Sequence, residues 1–347
     1  MTLSYAAAGV DIEAAAAAKR DMAHMLAPRD RRILNGVGPF ATLIDAEFSD
    51  YRHPVIVFKT EEPGSKQKLA VAHGAYRSIC FDLVNHLIDD IVVMGAVPVA
   101  VQDAIICGVL QQEVVTAMVA ALAEACRAQE CSLTGGETSE QPGVLEPGTY
   151  VLTASVVGVV ERAAVIDGSR IAAGDTVLAL ASNGVHTNGF SLVRRLLQST
   201  PALGDRPLGG ATVMEQLLQP HRCYLPALRP CLGHRDLHGL AHVTGGGIGD
   251  NLRRVLPAGV GAEIDLSRIE VPEIFGVLRA AGAVDDAEML RVFNVGVGML
   301  AVVAPAVVDA VRAAAAAAGV ACYPVGRIEA AEQADSAAVA FRGALRW

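Results

Sequence analysis

The sequence predicts an α/β protein of two domains, and three observations carry that prediction. The chain has 347 residues, more than one core of ordinary size takes up, so two domains of about 150 to 200 residues are expected. β-Branched apolar runs alternate with helix-forming stretches along both halves, the pattern of strand and helix in turn. A polar, turn-rich stretch from Glu161 to Gly174, with Asp167-Gly168 and Ala173-Gly174-Asp175, separates the halves. With 52% hydrophobic and 19% charged residues, both halves can fill a core, and neither has the polar composition of a disordered chain.

The first predicted element is the Ala-rich segment Ala14 to Met25, of high helix propensity. Pro54 to Thr60 is a β-branched strand running into the acidic loop Glu61-Glu62-Pro63-Gly64-Ser65-Lys66. A helix from Tyr76 to Met94 follows, closed by Gly95. Next come a strand from Val99 to Cys107, a helix from Glu113 to Gln129, Ser132-Leu133-Thr134 with a Gly135-Gly136-Glu137-Thr138 turn, and the long apolar strand Tyr150 to Val160. Beyond the boundary the alternation restarts with the strand Thr176 to Ala181, the loop Ser182 to Gly189 and the helix Phe190 to Gln198. It recurs as Ala241-His242-Val243, the loop Thr244 to Gly247 and a helix through Asn251 to Leu256. Both units are strand, loop, helix, which sets loop amides and the positive end of a helix around an anion. A strand from Phe293 to Val303, an Ala-rich helix from Ala306 to Ala318 ended by Gly319, and a strand near Tyr323 to Ile328 complete the chain.

Composition excludes several classes of function. A net charge of -9 leaves no broad basic surface for nucleic acid, so an anionic ligand needs a local basic site. Seven cysteines, widely spread and without a C-x-x-C pair, read as reduced, largely buried thiols of a cytoplasmic protein. No export signal and no run long enough to span a membrane is visible. Only Lys19, Lys59, Lys66 and Lys68 are lysines, against 24 arginines, and three of the four fall between 59 and 68. A phosphate-binding loop and a chance cluster on an exposed turn both account for that.

The chemistry-bearing residues gather in a few places. Asp82, His86, Asp89 and Asp90 stand at offsets of zero, four, seven and eight on the helix from Tyr76, within one face about 100° wide. Such a line suits a divalent metal with bound phosphate oxygens; a merely solvated face is the alternative. His186 lies in a loop of Ser, Asn, Thr and Gly, and His242 beside Thr244 and three glycines, where an imidazole can move protons. His221, His234 and His238 lie near Pro, Arg and Asp and are expected at the surface. Walker A, G-x-G-x-x-G after a first strand, H-E-x-x-H and G-x-S-x-G are absent. The residues alone therefore point to an enzyme that handles a phosphorylated ligand and a metal.

Several of these segments, in order, resemble the aminoimidazole ribonucleotide synthetase (phosphoribosylformylglycinamidine cyclo-ligase) family over nearly the whole chain. They are Ser4-Tyr5 with Ala8 to Ile12, Asp82-Leu83-Val84 with Asp90 and Val92 to Pro98, Gly135-Gly136-Glu137-Thr138 with Glu140 and Pro142-Gly143, Ile166 to Ser169, His186 with Asn188 to Arg194, Ala241 to Gly247, and Arg291 to Met299.

The resemblance implies an ATP-binding and dimerisation domain over residues 1–165, whose strands form a β-barrel with a partner subunit in a homodimer. It implies a second α/β domain over 166–347 that lines the substrate cleft. The implied reaction is an ATP- and magnesium-dependent (Mg2+) cyclo-ligation that phosphorylates an amide-type oxygen and closes an imidazole ring. Its implied substrate is a small phosphorylated molecule. By resemblance Glu61, Gly64, Ser65, Lys66, Asp82, Asp90, Gly135, Gly136, Glu137 and Thr138 hold the nucleotide, and Glu61, Asp89, Asp90 and Glu137 the metal. His186, Thr187, Asn188, Thr244, Gly245, Gly246, Gly247 and Asn251 meet the substrate, with His186, His242 and Lys66 as catalytic groups.

The sequence also departs from the family. The family's D-G-V-G-T-K loop is here Glu61 to Lys66, an Asn-Asp pair is Asp89-Asp90, and His86 replaces an apolar residue. A family lysine in the first helix falls near Ala23, with Lys19 one turn earlier. These changes leave two further readings beside the cyclo-ligase: a paralogue that activates a different amide, amidine or carboxylate, and a non-catalytic binding or partner subunit.

Overall fold

The computed structural model describes Leu26 and residues 30–36, 40–331 and 338–347. The expected helix over Ala14 to Met25, and Lys19, lie outside these residues. The chain divides into two compact units. One runs through Ile91 and from Val97 to Val159; the other takes Val92–Ala96 and everything from Val160 onward.

The first unit carries a four-stranded sheet in the order β1-β4-β2-β3: β1 Pro54–Glu61, β2 Val97–Cys107, β3 Ser132–Glu140 and β4 Tyr150–Glu161. β2 runs antiparallel to β4 and parallel to β3. Three helices accompany it, α1 Lys66–Ala72, α2 Tyr76–Val92 and α3 Gln112–Ala128. α3 buries Val115, Met118, Val119, Leu122 and Cys126, the one-sided spacing that seats a helix on a sheet. Phe48 and Ile33 cover Val99, Ala100 and Val159. β1 leaves Ile56 and Phe58 exposed, an alternation in which its second face has no cover among the described residues of this unit.

One expectation fails here. Gly135-Gly136-Glu137-Thr138 is not a turn but the middle of β3. The register between β2 and β3 shifts between Val101 and Asp103, and that irregularity lets the glycine pair stay within a ladder. A Cβ at Gly136 would overlap the Asp103 carbonyl oxygen and lie 2.6 Å from its carboxylate Oδ1, so only glycine allows the two strands to approach this closely.

The second unit has a six-stranded mixed sheet in the order β12-β9-β11-β5-β10-β8. Its strands are β5 Thr176–Ala181, β8 Leu237–His242, β9 Val260–Asp265, β10 Val297–Val303, β11 Cys322–Ala330 and β12 Val339–Arg342, with a small hairpin of β6 Pro207–Leu208 and β7 Ala211–Thr212 before β8. Every residue of β10 is buried, as a central strand covered on both faces requires. β5 and β8 both run antiparallel to β10, so their C-terminal ends lie at the same edge of the sheet. α4 Phe190–Ser199 leaves the loop after β5, and α5 Gly247–Arg253 leaves the loop after β8. Among the described residues no helix is long and apolar enough to cross a membrane.

Candidate active site

In the first unit the acidic loop is anchored at its base. Thr153 Oγ1 donates to the Glu61 carbonyl at 3.0 Å, Leu152 N donates to Gln67 Oε1 at 3.0 Å, and Gln67 Nε2 donates to Glu62 Oε2 at 3.2 Å. The loop therefore moves with β4 and α1.

Lys66 opens α1 and turns inward. Its Nζ lies 3.0 Å from Asp82 Oδ1 and 2.8 Å from Oδ2, and both side chains are 0% exposed. Burial is the largest influence on the ammonium and pulls its pKa below the ordinary lysine value, while Asp82 pulls it back up. The lysine assigned to phosphates is thus held by a carboxylate from α2.

A second lysine, Lys59, is half-buried on β1. Lys59 and Glu61 are two apart on β1 and so share a face; His86 and Asp90 are one turn apart on α2. Lys59 Nζ sits 3.0 Å from Glu61 Oε2 and 2.9 Å from Asp90 Oδ2. His86 Nε2 faces the same two oxygens at 3.9 and 3.8 Å. The line read on α2 is thereby split: Asp82 closes an internal ion pair, whereas His86 and Asp90 meet β1. Nor is it a water-washed face, since Asp82 and Asp89 are fully buried and His86 nearly so. Glu137 is elsewhere: it lies on β3, with two strands between it and β1 in the sheet, is exposed, and accepts from the Thr138 amide at 2.9 Å.

Asp103 was not singled out from the sequence. It is buried on β2 on the same side as Val101 and Ile105, and burial pushes its carboxyl up to about 7. The signal is a lone carboxylate inside a run that is otherwise apolar except for Gln102, V-A-V-Q-D-A-I-I, a placement that costs free energy unless the group takes up a proton or a partner.

In the second unit the loops after β5 and β8 meet. A Cβ at Gly245 would lie 3.5 Å from Asn188 Oδ1, so the two glycine-bearing loops are neighbours. Asn251 Nδ2 donates to the carbonyls of Thr244, Gly245 and Gly247 at 3.3, 3.2 and 2.8 Å, spending its amide on shaping the loop. Asn294 does the same for the other loop, with Oδ1 accepting from Ser182 Oγ at 3.0 Å and Nδ2 donating to the Gly184 carbonyl at 2.9 Å.

His186 is buried with φ of 63°, a left-handed conformation that a non-glycine residue holds only where its surroundings dictate it. Asn183 Nδ2 donates to the Pro220 carbonyl at 2.9 Å, which orients the amide. Asn183 Oδ1 then accepts from His186 Nε2 at 2.9 Å, so that nitrogen carries the proton.

His221, expected at the surface, is 1% exposed. Its ring stacks on His186 with centroids 4.1 Å apart, and its Nε2 shares one proton with His242 Nε2 at 3.1 Å. Burial of a polar ring in a protein with so many apolar residues requires such partners, and these partners come from the loop after β5 and from the end of β8. A Cβ at Gly298 on β10 would overlap the Tyr224 hydroxyl and sit 2.7 Å from His186 Cε1, so the cluster fits only because that strand carries glycine. Of the other two histidines, His234 is exposed and His238 Nδ1 pairs with Asp175 Oδ2 at 2.7 Å.

A four-stranded and a six-stranded sheet in succession, each leading into polar loops lined with carboxylates or histidines, define a two-domain α/β enzyme fold. By structure the chain is similar to E. coli HypE, with a TM-score of 0.67 at 15% identity over 95% of this chain and 94% of that one. It is likewise similar to hydrogenase maturation protein HypE in complex with ATP, with a TM-score of 0.60 at 16% identity over 93% and 88%. By sequence, the N-terminal domain of AIR synthase related proteins matches residues 50–160 and the C-terminal domain matches 172–337. A phosphoribosylformylglycinamidine cyclo-ligase of Sorangium cellulosum (strain So ce56) is 42% identical over 335 residues, 94% of this chain and 96% of that protein. The chain belongs to the AIR synthase related family.

Proposed function

We propose that the protein is an ATP-dependent cyclo-ligase of purine biosynthesis, acting on formylglycinamidine ribonucleotide. The observation that carries this reading is the 42% identity to a cyclo-ligase across 94% of the chain. In the reaction the terminal phosphoryl group of ATP passes to the formyl oxygen and ADP leaves. The neighbouring nitrogen then attacks the formyl carbon, phosphate departs with the C–O electron pair, and the nitrogen loses a proton. Phosphorylation replaces a poor leaving group, and holding both reacting atoms in one molecule supplies proximity.

Glu61 and Asp90 offer carboxylate oxygens, the hard donors that magnesium takes, and the Lys59 ammonium already stands between them as a cation. The donor set therefore fits a divalent ion. Bound there, the ion would neutralise charge on the transferred phosphoryl group. Asp89, Glu137, Gly64, Ser65 and Thr138 complete the proposed nucleotide side. On the substrate side, the hydrogen-bonded pair of His221 and His242 offers ring nitrogens as proton donor and acceptor. His186, held in one tautomer by Asn183, presents its ring in a fixed orientation. Thr187, Asn188, Thr244 and the Gly245-Gly246-Gly247 backbone supply hydrogen-bonding groups around them.

We further propose a cytoplasmic homodimer in which the face of β1 bearing exposed Ile56 and Phe58 is covered by a partner sheet. A second reading, a relative that activates a different amide, amidine or carboxylate, draws on one observation: Lys66 is enclosed with Asp82.

The test is ADP release by purified protein with ATP and Mg2+, with and without formylglycinamidine ribonucleotide, and mass-spectrometric detection of the cyclised product. ADP release and ring closure on that substrate support the first reading. ATP binding without turnover of it favours the second. Absence of ATP binding by calorimetry in the presence of Mg2+ overturns both.

A further inference from the structure

Lys59 occupies an unusual place for the residue type. It is one of only four lysines in a chain that otherwise uses arginine, and it stands on the strand that leads into the acidic loop. Its ammonium lies 3.0 Å from Glu61 Oε2 and 2.9 Å from Asp90 Oδ2, with the imidazole of His86 facing the same two oxygens. The lysine side chain is 37% exposed, against 26% for Glu61 and 17% for Asp90. The cation is thus the most solvent-accessible of the three groups.

We propose that Lys59 is the resident counter-cation of the Glu61 and Asp90 carboxylates, and that a divalent cation binds there only by displacing its ammonium. This rests on the reading that Glu61 and Asp90 hold the metal. One positive charge offsets half the charge of two carboxylates; a divalent ion offsets all of it and brings its own waters. A lysine suits an exchangeable role. Its charge rides on a four-carbon stem and bonds through single N–H donors, whereas the planar fork of arginine would grip a carboxylate at two points. The metal site is therefore self-neutralised until metal arrives, and its affinity is set by what it costs to dislodge the lysine.

The experiment is titration of the nucleotide-free protein with Mn2+, followed by calorimetry and by the loss of free-ion electron paramagnetic resonance signal. Lys59→Met should tighten Mn2+ binding at least tenfold, and Lys59→Arg should weaken it. Lys68→Met, which removes an exposed lysine nearby in sequence, should change it less than twofold. That control separates displacement from a general change in charge. The arginine variant gives an arm of opposite sign should the methionine variant melt early.

Equal effects of Lys59→Met and Lys68→Met, weaker binding by Lys59→Met, or Mn2+ binding by neither wild type nor Lys59→Met would overturn the proposal. Glu61→Gln and Asp90→Asn report separately on the underlying reading. If both leave Mn2+ binding unchanged, the metal lies elsewhere; if they abolish it while the two lysine variants are indistinguishable, the reading stands and the displacement does not.

Discussion

The Lys66 and Asp82 pair offers the sharpest energetic prediction. Both side chains are wholly enclosed, with Nζ within hydrogen-bond distance of both carboxylate oxygens, and α2 is fully buried on either side of Asp82 at Ile79, Cys80, Leu83 and Val84. Asp82→Ala would leave an ammonium without its counter-charge in that interior, a loss of about 3–5 kcal/mol. For a unit of this size, one kcal/mol shifts melting by roughly 2–4 °C, so the variant should melt about 6–20 °C below wild type in differential scanning calorimetry.

Replacing the pair by apolar residues of similar volume, Lys66→Met with Asp82→Leu, should recover most of that loss, because neither charge is then buried alone. The sign with pH also follows. With Asp82 gone, burial alone acts on Lys66 and holds its folded pKa below the unfolded value. The unfolded chain then binds the extra proton, so the deficit of Asp82→Ala shrinks as pH rises toward the ordinary lysine value. An Asp82→Ala protein that melts within about 2 °C of wild type, or a double variant no better than the single, would refute the reasoning.

Three further outcomes are expected. The Asp103 carboxyl is raised from 3.8 to about 7 by burial, so its proton is held more tightly folded than unfolded. The stability this brings is complete below about pH 4 and is lost as pH rises to about 7, up to about 4 kcal/mol; Asp103→Asn should therefore gain on wild type between pH 5 and pH 8 in paired melting curves. Parallel curves would remove Asp103 from that role. Gly298→Ala drives a methyl into Tyr224 and His186 and should cost about 1–3 kcal/mol while lowering kcat/KM at least tenfold, read by melting and by ADP release; full activity would show the histidine cluster to be dispensable. Asp90→Asn should abolish metal-dependent ATP binding in calorimetry with the melting temperature little changed, and retained binding would move the metal away from β1 and α2.

The elements easiest to read were those with one dominant signal. Thr176–Ala181 was bounded by turn residues on both sides and is the strand expected; Tyr76–Val92 ends two residues before the predicted Met94, ahead of Gly95 at φ of 82°. The glycine pair at 135 and 136 carries a turn signal, which says nothing of a neighbouring strand with a shifted register. β9, β12 and the helices Glu273–Gly282 and Asp286–Val292 carry no clear periodic signal; their runs are short or mixed in polarity, and tertiary packing decides them.

At the site, histidines in glycine-bearing loops were legible as residue types, and His221 was not, since its partners are 35 and 21 positions away. In the sequence Lys59 stands out only as part of a lysine cluster; its meeting with Asp90 depends on how β1 and α2 pack, which composition does not encode.

The order β1-β4-β2-β3 has a consequence for synthesis on the ribosome. β1 is complete at Glu61, but the strand it pairs with begins only at Tyr150. At roughly 5–20 residues per second, β1 emerges several seconds before its neighbour exists, with its backbone amides and carbonyls unpaired along the strand edge. β2 and β3 can meet meanwhile, because the α3 crossover between them is short. Nascent chains stalled just before residue 150 should accordingly recruit chaperones at β1, and chains stalled after β4 clears the exit tunnel should release them.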